Sequence, residues 1–287
     1  MDDTKLNWIQ IQGHAYNDGE TFCNELSRIF ERSWIYVGHV NQMPGIGSYL
    51  LCRVANENPL VMRTSTHKIK AYLNMCPHRG ARLVSDESGC NKNIVCPYHA
   101  WTFDLNGDLL GVPAQRHYLP DMSVAAHALT AFRTEVWRGL IFVSLQESGC
   151  DLRTYLAELP GYLEDYEHDL ESLELVTVVV MEEEVNWKLI VENYVEDYHF
   201  SFVHPRTLNV FDHKATRTLP TGDHIRVFMP YQSREPIEAC KYPWKPSGGS
   251  QQGFIWPSMT IQPAVNHLSI FRIVPLSPRP TSGDAGP

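Results

Sequence analysis

Two short stretches each carry one thiol and one imidazole: Cys76-Pro77-His78 and Cys96-Pro97-Tyr98-His99, with 17 residues between them. Further along, Glu192-Asn193-Tyr194-Val195-Glu196-Asp197-Tyr198-His199 runs on to His204-Pro205, gathering acids, an amide and two imidazoles. Thiolates and imidazoles together suit zinc, copper or iron–sulfur chemistry, whereas imidazole with carboxylate suits iron that keeps open positions. Both sets are therefore candidate metal sites of different character.

Three readings of Cys76, His78, Cys96 and His99 compete. They are a coincidence of buried cysteines and surface histidines, a tetrahedral zinc site, or a Rieske [2Fe–2S] centre, in which two thiolates hold one iron and two imidazoles the other. Matched loops argue against coincidence. Zinc fingers usually pair like ligands, and here each loop carries one of each. That division serves a binuclear centre.

The stretch "CPHRGARL…CPYHAWTFDLNGDL" resembles the Rieske domain of ring-hydroxylating oxygenases, including Arg79-Gly80, Trp101 and the Asn106-Gly107 turn. One departure is Ala100, where the family usually has glycine, which removes backbone freedom after His99. The resemblance implies that the four residues bind the cluster. It also implies a low reduction potential, because the extra cysteines and serine of respiratory-chain relatives are absent and fewer hydrogen bonds reach the sulfurs.

In the second set, Glu192, Glu196 and His199 recur at helical spacing and are expected on one face of a helix over Val185–Phe202. His204, five residues after His199, would point elsewhere on a straight helix. Pro205 disfavours helix at the residue before it, so a break between the two histidines is expected. Read alone, the pattern also fits an amphipathic helix with solvated acids and a histidine near its C-terminus. However, "NWKLIVEN…E..YH….H" is similar to the catalytic motif of Rieske non-haem iron oxygenases. The resemblance implies that His199 and His204 ligate a mononuclear Fe(II). It makes Glu196 an acidic bridge between His199 and the cluster ligand His99 of a neighbouring subunit, and puts Asn193 near the iron. Asp197 is the alternative bridge, two residues from His199 and pointing elsewhere.

That family's third iron ligand is an Asp on a helix near the C-terminus. Asp284 in the tail, Asp212 and Asp223 are poor substitutes, and the chain is expected to be C-terminally shortened. Trp256, Phe211 and Phe228 are candidates to line a substrate pocket or to belong to the core.

These residues must be positioned by a chain of 287 residues, 43% hydrophobic and 20% charged, an ordinary globular balance. A net charge of −9 disfavours nucleic-acid binding. The longest apolar runs are too short to span a membrane, and no signal-peptide pattern opens the sequence. A cytoplasmic setting with reduced thiols is therefore expected. Asp18–Trp34 reads as an amphipathic helix capped by Asp18. From Ile35 to Leu145, short apolar runs alternate with Gly, Pro and Asn turn signals, which predicts an all-β unit. Helix is expected at Leu152–Leu159, resuming near Tyr162–Asp169. Strands are expected at Leu173–Val185, His224–Tyr231, Gly253–Gln262 and Leu268–Val274. The fold class is α+β: an N-terminal helical segment (1–34), an all-β Rieske domain (35–149), and a helix-and-antiparallel-sheet catalytic domain (150–287), incomplete at its C-terminus.

By resemblance, the activity expected is that of a terminal oxygenase component. Electrons from NAD(P)H, passed by a flavin- or ferredoxin-type reductase, reach the cluster and then the mononuclear iron. The iron activates O2 to hydroxylate a small molecule, either a quaternary ammonium compound, to which Glu196 leans, or an aromatic ring. The path implies a homotrimer or other ring-shaped oligomer. The rival is a non-catalytic Rieske electron carrier or inactive paralogue, and iron stoichiometry separates the two.

Overall fold

The computed structural model describes residues 11–118, 127–157, 159, 169–232, 248–263 and 267–278. Helix α1 (Gly19–Arg28) starts where Asp18 accepts a hydrogen bond from the Thr21 amide at 2.7 Å, satisfying one of the free donors of the first turn. It buries Phe22 and Leu26 and ends before Ile29, earlier than the expected Trp34. A 3-10 turn over Phe30–Arg32 carries the chain into the first strand.

Strands β1 (Ile35–His39), β2 (Ser48–Leu51), β3 (Leu60–Ser65), β4 (Lys68–Tyr72) and β5 (Ser88–Cys90) come next. After them lie the short β6 (Ile94–Val95), β7 (Thr102–Phe103) and β8 (Leu109–Gly111), and then helix α2 (Gln115–Tyr118). Strands β9 (Ala131–Trp137) and β10 (Leu140–Ser144) complete a seven-stranded sheet of order β1-β10-β9-β4-β3-β2-β5. Its pairings are all antiparallel: β2–β3, β3–β4 and β9–β10 are hairpins, and β1–β10, β4–β9 and β2–β5 join strands distant in sequence. Strands β6, β7 and β8 form a separate three-stranded sheet.

Helix α3 (Leu152–Leu156) is capped by Asp151, and Ala157, with φ +52°, stops it short of Leu159. The continuation over 162–168 lies outside the described residues. Helices α4 (Trp187–Tyr194) and α5 (Phe200–Val203) follow. A five-stranded antiparallel meander closes the described chain: β11 (Arg217–Thr221), β12 (His224–Pro230), β13 (Gly249–Ile255), β14 (Met259–Pro263) and β15 (Leu268–Arg272).

Three expectations fail. The apolar run Leu173–Val185 forms no strand among the described residues. Val176 and Val180 are 91% and 87% exposed, because a strand needs a neighbouring ladder and none is there. The strand expected over Gly253–Gln262 is two strands, β13 and β14, turned at Trp256-Pro257-Ser258. The helix expected over Val185–Phe202 is two pieces, α4 and α5, with Val195–His199 outside both.

One apolar core joins the two halves: Phe22 and Phe30 pack with Ile35, Val37 and Ile141 of the first sheet and with Trp187 and Phe254. Phe30 meets Trp187 edge-on at 5.0 Å. Glu25 accepts from Trp187 Nε1 at 2.8 Å and pairs with Lys188 Nζ at 2.6 Å, so α4 is tied to α1.

Candidate metal centres

The two Cys/His loops are built alike. Cys76 N donates to the Ala81 carbonyl and Gly80 N to the Cys76 carbonyl; Cys96 N donates to the Trp101 carbonyl and Ala100 N to the Cys96 carbonyl. Gly80 and Ala100 occupy matching left-handed positions, φ +69° and +54°. Ala100 thus sits in the conformation that favours glycine. The first loop is pinned from within by Asn74, whose buried side chain donates to the Val84 carbonyl at 2.8 Å and accepts from the Leu83 and Val84 amides. The second hangs between β6 and β7. Below it the Asn106-Gly107 turn is held by Asp104, which accepts from the Asn106 and Asp108 amides.

Depth separates the two residue types. Cys76 and Cys96 are free thiols, 1% and 2% exposed, among Leu60, Tyr72 and Phe103, whereas His78 and His99 are half-exposed. The imidazoles meet edge to face at 4.6 Å, and His78 stacks on the buried Trp101 ring at 4.7 Å and 2°. Burial pushes the Cys76 thiol up, and the neighbouring Cys96 adds to that. Burial, then His99, Arg79 and His127, pushes His78 down, towards the neutral form a ligand needs. His78 Nδ1 and His99 Nδ1 are both buried with no hydrogen-bond partner. Two orphaned ring nitrogens above two buried thiols fit a binuclear centre with thiolates on the inner iron and imidazoles on the outer.

In the second set, α4 ends at Tyr194, before either histidine. Glu196 ends the helical pattern: its carboxylate accepts from the Tyr198 and His199 amides and from His199 Nδ1, drawing the local donors away from the helix ladder. The Glu196–His199 contact therefore arises in a turn and not on a helix face. Glu192, expected on that face, instead accepts from Tyr16 OH at 2.6 Å, which together with burial pushes the phenol up to about 12. His199 opens α5 and His204 closes it. Their rings lie 5.5 Å apart at 71°. With Nδ1 engaged by Glu196, Nε2 is the His199 nitrogen left facing away from it, and Asn193 Nδ2 lies 3.3 Å from that atom. The two rings fit two cis ligands of one metal.

Asp212 is occupied capping the Lys214 amide at 3.1 Å, Asp223 is exposed, and Asp284 lies outside the described residues. Trp256 packs at 6.0 Å from Trp187 and 6.3 Å from Phe254, in the core, and Phe228 is half-buried on the opposite face of β12 from Val227 and Met229. Phe211 packs with Val227 and Met229 and lies 6.5 Å from Phe200. Spacing missed Asn74, which holds the first loop, and Tyr16 and Glu25, which hold α4. Their partners are distant in sequence or, for Asn74, backbone groups.

Comparison with known proteins matches residues 33–132 to the Rieske [2Fe-2S] domain and residues 170–285 to the ring hydroxylating alpha subunit catalytic domain. The glycine betaine monooxygenase oxygenase subunit of Chromohalobacter salexigens is 37% identical over 194 residues, covering 68% of this chain and 43% of its own. The carnitine monooxygenase oxygenase subunit of Acinetobacter pittii is 31% identical over 190 residues, covering 66% and 51%. A solved quaternary ammonium Rieske monooxygenase, described for carnitine oxidation and inter-subunit electron transfer, superposes with TM-score 0.81 at 25% identity, covering 93% of this chain and 72% of that one. The chain spans about half the length of the curated relatives it matches. No described helix is long and apolar enough to cross a membrane. The paired domains imply a Rieske cluster and a mononuclear iron, and the chain belongs to the Rieske oxygenases of the ring-hydroxylating alpha-subunit family.

Proposed function

We propose that this chain is the oxygenase component of a cytoplasmic Rieske monooxygenase or dioxygenase that hydroxylates a quaternary ammonium compound, or else an aromatic ring. When bound, the cluster supplies electrons and the mononuclear Fe(II) activates O2. The buried Cys76 and Cys96 would hold the cluster through their thiolates, and His78 and His99 through their ring nitrogens. His199 and His204 would hold the mononuclear iron. Glu196 fixes the tautomer and direction of the His199 ring, and Asn193 lines its ligating nitrogen. The observation that carries this reading is the coexistence in one chain of the orphaned His78 and His99 nitrogens and the Glu196-oriented His199.

A separate flavin- or ferredoxin-type reductase delivers electrons from NAD(P)H to the cluster. A homotrimer or other ring sets His99 of one subunit against Glu196 of the next. Exposed rings flank both sites, Tyr98 beside His99 and Tyr198 with Phe202 beside His199, as a subunit contact requires. The relatives named for glycine betaine and carnitine favour the quaternary ammonium substrate, and the catalytic match over 170–285 speaks against a bare electron carrier.

Iron analysis of the purified chain tests the reading. Three irons per chain are expected, with two remaining and an unchanged cluster spectrum after His199→Ala; Cys96→Ser should abolish that spectrum. Two irons in the wild type would favour the electron carrier, and zinc without visible absorbance would sink both.

A further inference from the structure

We propose that Asp197, His213 and Thr216 form a latch that positions the His199–His204 turn for metal binding, acting through Phe200. The proposal rests on the reading of those two histidines as metal ligands. Asp197 follows Glu196 directly, yet its carboxylate faces a different segment. It accepts from His213 Nδ1 at 2.9 Å and from Thr216 Oγ1 at 2.6 Å. The Asp197 and His213 side chains are only 14% and 19% exposed, so the carboxylate has exchanged water for these two donors.

His213 has no other polar anchor among the described residues, since its Nε2 is buried without a partner. The rest of its hold is aromatic. Its ring stands at 88° to Phe200, 5.9 Å away. Phe200 in turn meets His199 at 4.8 Å and 87°, and His204 at 6.1 Å and 78°. One phenyl ring thus touches both proposed ligands, and His213 presses on that ring.

The turn needs such a hold. Helix α5 is a single turn of four residues, and the His199 side chain does not cap it. One turn cannot sustain itself, because nucleation costs more than its few hydrogen bonds return. Glu196 orients His199 from one side. Among the described residues no comparable side-chain hydrogen bond grips His204, so Phe200 and the latch behind it set where that ring points. Positioning partners of this kind typically contribute about 10–100-fold to metal affinity.

The test is dialysis of Co(II) against the cluster-loaded chain under chelator competition, paired with amide hydrogen exchange. Asp197→Ala and His213→Ala should weaken Co(II) binding about 10–100-fold. They should also speed exchange at Phe202, Val203 and His204 while leaving β1, β10 and the cluster spectrum unchanged. Asp197→Asn, which keeps an acceptor for His213 Nδ1 and Thr216 Oγ1, should restore affinity to within a few-fold, whereas His213→Asn, which lacks the ring that presses on Phe200, should stay weakened. Unchanged affinity in His213→Ala overturns the latch and leaves the metal site standing. So does accelerated exchange throughout the chain that Asp197→Asn fails to rescue. A wild-type chain that binds no Co(II) overturns the metal-site reading itself, and the latch with it.

Discussion

Ala100 is where sequence and strain meet most directly. It occupies a left-handed backbone position that its counterpart in the other loop, Gly80, fills without a Cβ. An L-residue there costs about 1 kcal/mol relative to glycine. Ala100→Gly should therefore raise unfolding stability by about that amount, and Gly80→Ala should lower it comparably. Denaturant unfolding of the cluster-loaded chain measures both, and a destabilising Ala100→Gly would contradict the backbone geometry. That Cys76, His78, Cys96 and His99 would come together was legible because thiol and imidazole types at matched spacing have few other uses. Their depth, with buried sulfurs and half-exposed rings, was not, since it depends on Leu60, Tyr72 and Phe103 from other strands. His213 was opaque for the same reason, as nothing in spacing announces a partner 16 residues from Asp197.

Elements were legible where local chemistry decides them. Asp18 and Asp151 cap helices, and the hairpins of the first sheet follow their Gly, Pro and Asn signals. They were misread where a competing partner decides. The Glu196 carboxylate captures amides that a continued α4 would need, and Leu173–Val185 has strand composition without a strand to pair with. A third case lies at the joint of α3, β12 and the β13–β14 turn. Buried His224 donates from Nε2 to the Tyr155 carbonyl at 2.7 Å, and its Nδ1 accepts from the Trp256 amide at 3.1 Å. The second bond requires the neutral ring, because a protonated Nδ1 has no lone pair with which to accept, and burial holds its pKa below the usual 6.5. The unfolded ring takes up a proton near pH 6.5, while the folded ring resists until lower pH. Its stabilisation is thus complete above about pH 6.5 and drains away as pH falls towards the folded value. The denaturation midpoint should drop between pH 7 and pH 5, and less steeply in His224→Asn. Parallel slopes for the two proteins would refute the assignment.

At the scale of the whole molecule, one proposed metal site lies on loops between strands and the other on the α4–α5 turn, yet a shared core of Phe22, Phe30, Trp187 and Phe254 makes them one packed body. The exposed rings beside each site then bear on assembly. Tyr98 is 61% exposed and Tyr198 81%. If these faces meet between subunits, Tyr98→Glu or Phe202→Glu should shift the mass seen in sedimentation towards the monomer while each purified chain keeps its cluster. An unchanged mass in both variants would remove the ring arrangement. Sequence reading reached the two-part architecture because strand-rich and helix-bearing stretches follow one another. It could not show that α1 reaches across to clamp α4 through Glu25.

The bare valine run between Leu175 and Met181 has a consequence of its own. Its side chains are apolar on both faces, and no ladder occupies its backbone among the described residues. Such a segment is a template for cross-β pairing. Its only gatekeepers are the acids beside it, Glu174 before the run and Glu182, Glu183 and Glu184 after it. Solubility in this region therefore depends on charge at its two ends, and replacing those glutamates with glutamine would bring the chain closer to aggregation.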